Sequence, residues 1–87
     1  VYDVPAFQLD YLREQRGVEV GFWRAVGAGY TKFAIETMID ELAREKKMDP
    51  VAYRLDLMKK APRAAAVLKA AAEMANWGKP REGRMLG

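Results

Sequence analysis

Apolar and polar side chains alternate from Phe7 to Tyr11 and again through Val18-Glu19-Val20-Gly21-Phe22. That period of two belongs to a strand with one covered face. Gln15-Arg16-Gly17 between the two stretches reads as a turn, and Pro5 confines any strand start to an edge position or to the residues after it. The pattern predicts a two-stranded β-hairpin. Because a lone hairpin is marginal in water, it has to lie on helices or on another sheet.

The period then changes. Phe33, Ala34, Ile35, Met38, Ile39 and Leu42 recur at helical spacing, while Lys32, Glu36, Asp40, Glu41, Arg44 and Glu45 fall mostly off that stripe. A first helix is expected from about Tyr30 to Lys47. Within it Glu36 and Asp40 repel at i,i+4, whereas Asp40 and Arg44 attract. Met48-Asp49-Pro50 marks a restart, with Asp49 suited to cap the next helix and Pro50 to its first position. Val51, Arg54, Leu55 and Met58 share one side of that second helix, to about Lys60. Pro62 opens a third, striped by Ala64, Val67, Leu68, Ala71, Met74 and Ala75 and ended by Gly78 and Pro80. The expected fold is α+β and mostly helical: an N-terminal β-hairpin followed by three short amphipathic helices. The whole chain, 1–87, makes one small domain, with hairpin and loop at 1–24, the helical unit at 30–77 and a polar tail at 78–87.

Composition narrows what such a fold can do. With 87 residues the core is small, and 51% hydrophobic residues argue against disorder throughout. No run approaches the roughly 20 apolar residues of a membrane span, and the chain does not open on a signal-peptide pattern. There is no cysteine, histidine or serine. Disulfides, thiolate metal sites, an imidazole base and a serine nucleophile are excluded together. Self-contained hydrolysis is therefore not expected, and a reducing, cytoplasmic setting is.

The net charge of +3 is uneven: residues 1–45 hold five basic and eight acidic side chains, residues 46–87 ten basic and four acidic. A basic half can meet nucleic acid or an acidic partner. The best cluster, Lys59-Lys60-Ala61-Pro62-Arg63, lacks interleaved aromatics, which favours a plain solvated surface over a nucleic-acid site.

Candidate chemistry concentrates in Val20-Gly21-Phe22-Trp23-Arg24-Ala25-Val26-Gly27-Ala28-Gly29-Tyr30. An arginine fork and glycine-rich backbone just before a helix suit an anion. The competing reading is a strand-to-helix turn with a core aromatic pair and Arg24 paired to an acid. The carboxylates Glu36, Asp40, Glu41 and Glu45 read as a solvated face without histidine to join them. Arg54, on the apolar side of its helix, is placed to reach an acid of the first helix, and Trp77 reads as a hydrophobic plug.

Four pieces in this order, GFWRAVG, FAIETMIDELA, MDPVAYRLDLM and APRAAAVLKAAAEMANWGKP with EGR, resemble one continuous region of the molybdenum hydroxylases. The resemblance is to the molybdopterin-binding large subunit of the xanthine dehydrogenase and aldehyde oxidase family, in the branch of isoquinoline 1-oxidoreductase beta subunits. It covers roughly Val4 to Gly83. It implies that Phe22, Trp23, Arg24 and Gly27 lie on the cofactor side, that the helices are scaffold, and that molybdopterin belongs to the full-length context. Family members commonly carry a histidine or an alanine-proline-glutamine run where Ala28-Gly29-Tyr30 stands, and often a glycine in the linker occupied by Lys46-Lys47-Met48. The family's catalytic glutamate, most cofactor-binding segments and iron–sulfur domains fall outside this region. The chain is thus expected to hold no catalytic residue or metal ligand of its own and to be inactive alone. Its expected partners are the remainder of a large oxidoreductase subunit or further copies of itself, with no membrane. The alternative is a free-standing, self-associating helical module; a small basic nucleic-acid binder ranks below both.

Overall fold

The computed structural model describes residues 1–80, 82 and 83. Three helices follow one another: α1 (Ala28–Glu45), α2 (Pro50–Leu57) and α3 (Pro62–Met74). α2 begins as its sequence requires: Asp49 stays extended, its Oδ1 accepts the Ala52 amide at 2.9 Å, and Pro50 takes the first position. It ends three residues earlier than Lys60, where Met58 leaves helical geometry.

α1 and α3 close by the same device. Lys47 (φ 55) and Asn76 (φ 50) turn left-handed. The next amides then reach back, Met48 to the Ala43 carbonyl and Trp77 to the Ala72 carbonyl, each at 2.9 Å. These are Schellman closures with a non-glycine residue at the turning position. The stop assigned to Gly78 is therefore made two residues earlier, by Asn76.

The β-hairpin expected over 1–24 does not form, and the α+β assignment falls with it: the described residues contain three helices and no strand. Alternation shows which side chains would share a face if a partner covered it, but it supplies no partner. The two stretches do not pair. Phe7, Tyr11, Val20 and Phe22 remain 77%, 83%, 92% and 91% exposed, and Gly17 (φ 72) only bends the chain between them. A two-stranded ribbon needs a surface beneath it, and the helices offer none to these residues.

α2 is the middle element, packed on both α1 and α3, which do not pack on each other. Ile39, Ala43 and Tyr53 form the core, with Met58 also buried and Tyr2, Leu42 and Leu57 against it. Lys46 sits 5.6 Å above the Tyr53 ring. The N-terminus is strapped across this pair: the Asp3 amide donates to the Leu57 carbonyl at 2.8 Å, and Lys60 pairs with Asp3 at 2.8 Å. The result is an open molecule. Its radius of gyration is 16.2 Å, against about 12 Å for a compact chain of this length. Of the polar tail, Arg81 and residues 84–87 lie outside the described residues.

Candidate functional site

The turn at 24–27 is built from unusual backbone. Ala25 (φ 42) and Val26 (φ 49) are both left-handed, at a cost of about 1–2 kcal/mol each, more for the β-branched valine. Hydrogen bonds hold it: the Val26 amide to the Trp23 carbonyl at 3.0 Å, and the Ala28 amide to the Ala25 carbonyl at 2.8 Å. Gly27 is the N-cap of α1 with ordinary right-handed angles, so its missing side chain serves space rather than conformation. A Cβ there would stand 3.2 Å from the Tyr30 hydroxyl. Thr31 Oγ1 donates to the Gly27 carbonyl at 2.7 Å.

No side chain among the described residues caps the start of α1, and its first turn holds no acidic residue. The Gly29 and Tyr30 amides have no partner among the described residues, and neither has the Arg24 guanidinium. Phe22 and Trp23 are 91% and 88% exposed, so they are not a core pair. Phe22, Trp23, Arg24 and Gly27 thus lie along one exposed turn, with no second element brought to them. A lone cation fork beside the positive end of an 18-residue helix is chemistry that recognises anions.

The second polar centre lies between helices. Arg54 donates from Nε to Glu36 Oε2 at 2.9 Å and from Nη1 to Asp40 Oδ1 at 2.5 Å. It also reaches the Glu36 carbonyl from Nη2 at 3.1 Å and the Pro50 carbonyl from Nη1 at 3.3 Å. Tyr2 donates its hydroxyl to the same Glu36 oxygen at 2.8 Å. Burial opposes the charge on Arg54, but the hydrogen bonds and charges of Asp40 and Glu36 outweigh it and raise its pKa. The Tyr2 hydroxyl is pushed up by burial first, then by Glu36. The reach of Arg54 is the one legible from its helical position. Glu36 and Asp40, by contrast, are half-buried members of this network rather than a solvated face; only Glu41 and Glu45 are exposed. Tyr2 has no signal in the sequence, because 34 residues separate it from Glu36.

Trp77 is more than a plug. Its Nε1 donates to Asp49 Oδ2 at 2.7 Å, so one carboxylate caps α2 and ties down the end of α3. Burial raises the Asp49 pKa, yet the Trp77 indole and the Ala52 and Val51 amides outweigh it and hold the carboxyl below its usual value. Between α1 and α3, over the surface of α2, runs a cleft of about 560 Å³ with Arg44, Val51, Leu68, Ala71 and Trp77 among its walls. In the basic cluster Lys59 pairs with Asp56 and Lys60 with Asp3, leaving Arg63 without a partner among the described residues. No group of metal-ligating side chains occurs among the described residues.

Over 76 residues the chain is 42% identical to the beta chain of isoquinoline 1-oxidoreductase from Brevundimonas diminuta, a match covering 87% of this chain and 10% of that protein. It is 34% identical over 95 residues to the membrane-bound pyrroloquinoline-quinone aldehyde dehydrogenase of Gluconacetobacter polyoxogenes, covering 90% and 12%. The B component of nicotinate dehydrogenase from Pseudomonas putida is 45% identical over 79 residues, covering 85% and 7%. The chain is homologous to one segment of larger oxidoreductases. It spans only about a tenth of the length of these curated relatives. No family model matches it, and no solved structure does. Among the described residues no helix is long and apolar enough to cross a membrane.

Proposed function

We propose that this chain is a cofactor-side scaffold segment of an oxidoreductase subunit, without catalysis of its own. The observation behind this reading is the alignment of nearly the whole chain with one short segment of three oxidoreductases. In it, α1–α3 brace the 22–27 turn. Arg24 and the opening amides of α1 bind the anionic part of a redox cofactor, and Phe22 and Trp23 give that part an apolar flank that keeps water out. Gly27 keeps the approach open, since a side chain there would crowd Tyr30.

The family resemblance suggests a molybdopterin as that cofactor, whose phosphate would suit this donor set. When bound, that group supplies the electron transfer of substrate hydroxylation. One relative is named for pyrroloquinoline quinone, a polycarboxylate that the same donors would suit.

The exposed surface supports embedding in a larger body. It amounts to 8363 Å², where a compact protein of this mass exposes about 5,200 Å². The same surface would drive self-association of the chain by itself, the second reading. A nucleic-acid role loses ground because Lys59 and Lys60 are already paired.

Native mass spectrometry of the protein from its own source, compared with its Arg24→Ala variant, tests the proposal. A large assembly holding a pterin cofactor, with occupancy falling about tenfold or more in Arg24→Ala (a loss of ~1.4 kcal/mol or more), is expected. A quinone mass in its place would keep the anion site and change the cofactor. A bare oligomer of 87-residue chains would overturn the proposal.

A further inference from the structure

The cleft between α1 and α3 has the features of a docking groove. Its two walls do not pack on each other, so Val51 and Arg54 of α2 remain part-exposed at its floor. Leu68, Ala71, Ala72 and Ala75 line the α3 side, and the three alanines are small enough to let a neighbouring element approach closely. The polar groups are matched except for one. Asp40 and Arg54 neutralise each other across the floor, whereas the guanidinium of Arg44, at the last turn of α1, has no partner among the described residues. Arg44 is exposed in the chain alone; a segment that buries it is best matched by a carboxylate, because a cation buried unpaired is strongly unfavourable.

We infer that this cleft is filled by an apolar segment of the remainder of the oxidoreductase subunit that carries a carboxylate opposite Arg44. The inference rests on the scaffold reading above and names one surface through which the segment is held. The chain exposes about 3,000 Å² more than a compact protein of its mass, the scale of a large permanent interface. A second copy of this chain, whose residues 1–45 hold eight acidic and five basic side chains, is the competing occupant; the alignment of this chain with one short segment of much longer relatives favours the remainder of such a subunit.

Ala71 gives a direct test, since it lines the cleft and is exposed in the chain alone. Ala71→Cys and Ala66→Cys, the latter exposed outside the cleft lining, are alkylated in the protein as its cell assembles it. The peptides of this chain are then read by mass spectrometry. Cys at 71 is expected to react at least about tenfold more slowly than Cys at 66. A photo-crosslinker at 71 is expected to capture an acidic, apolar peptide from outside these 87 residues. Arg44→Glu is expected to restore reactivity at 71, and Arg44→Lys to leave the protection in place. Equal reactivity at 71 and 66, or a crosslink to a peptide of this chain, would overturn the inference. Protection at 71 in a protein without redox cofactor would fail the cofactor reading alone. Bound cofactor with 71 fully reactive would fail the cleft alone.

Discussion

Arg54 is the residue on which most of the polar structure converges. From α2 it satisfies two carboxylates that would otherwise repel one turn apart on α1, and it shares Glu36 with the Tyr2 hydroxyl of the N-terminal strap. Arg54→Met should cost roughly 1–3 kcal/mol, less than a fully buried pair because Glu36 and Asp40 are about two-fifths exposed. Arg54→Lys should recover only part of that, since an ammonium cannot hold both acids and two carbonyls at once. Urea titration of the three proteins gives the order, and a lysine variant as stable as the parent would contradict it.

Asp49 makes a prediction of the opposite kind, in pH. Its folded pKa is lowered, so its contribution is present above the unfolded value near 3.8 and is lost as pH falls through the folded value. Acid titration below about pH 4 should therefore loosen Trp77, seen as a red shift of its emission in a Trp23→Phe background. Asp49→Ala should show the loosened spectrum already at neutral pH.

At the level of elements, what could be read depended on whether the signal was local. Asp49-Pro50 fixes the start of α2 because cap and first position are neighbours in sequence, and the position of Arg54 on its helix pointed correctly to α1. The hairpin failed because pairing is not a local property. α1 shows a subtler limit. Its apolar stripe runs through Phe33, Ala34, Ile35, Met38, Ile39 and Leu42, of which Ile39 and Leu42 meet the core, yet the face turned to α2 and the N-terminus also includes Glu36, Asp40 and Ala43. Periodicity located an apolar face but could not say which neighbour it meets, and Phe33 stays 76% exposed. Of the candidate site, the arginine placed just before a helix start was legible, while the strained backbone at Ala25 and Val26 was not, since neither residue type favours left-handed angles.

The linker after α1 offers a test at this scale. Lys47→Gly should stabilise the chain by about 1 kcal/mol, because Lys47 adopts φ 55 at an exposed position where glycine has no steric penalty. A lowered melting temperature for that variant would show that the Lys47 side chain does something its surroundings do not reveal.

For the whole molecule, order is concentrated rather than spread. Among the described residues, the buried ones all fall from Ile39 to Met58. Amide exchange should follow that distribution: slow amides from Ile39 to Met58 and, over residues 7–23, rates close to those of an unfolded peptide. Protection of several hundredfold within 7–23 of the chain alone would mean that a hairpin or a docked strand forms after all.

The strap at the N-terminus changes what that long exposed stretch is. Asp3 is fastened by its amide to Leu57, the last residue of α2, and by its carboxylate to Lys60 just beyond it, and α1 begins at Ala28, so residues 4–27 leave the helices and return to them. They form a tethered loop, not a free arm. Closing a chain of that length has an entropic cost set by the separation of its ends, and here the helices have already met it. A groove that accepts Val18 to Trp23 therefore captures a preclosed loop, and cutting the Tyr2–Asp3 anchor would weaken that capture without removing any residue that touches the groove.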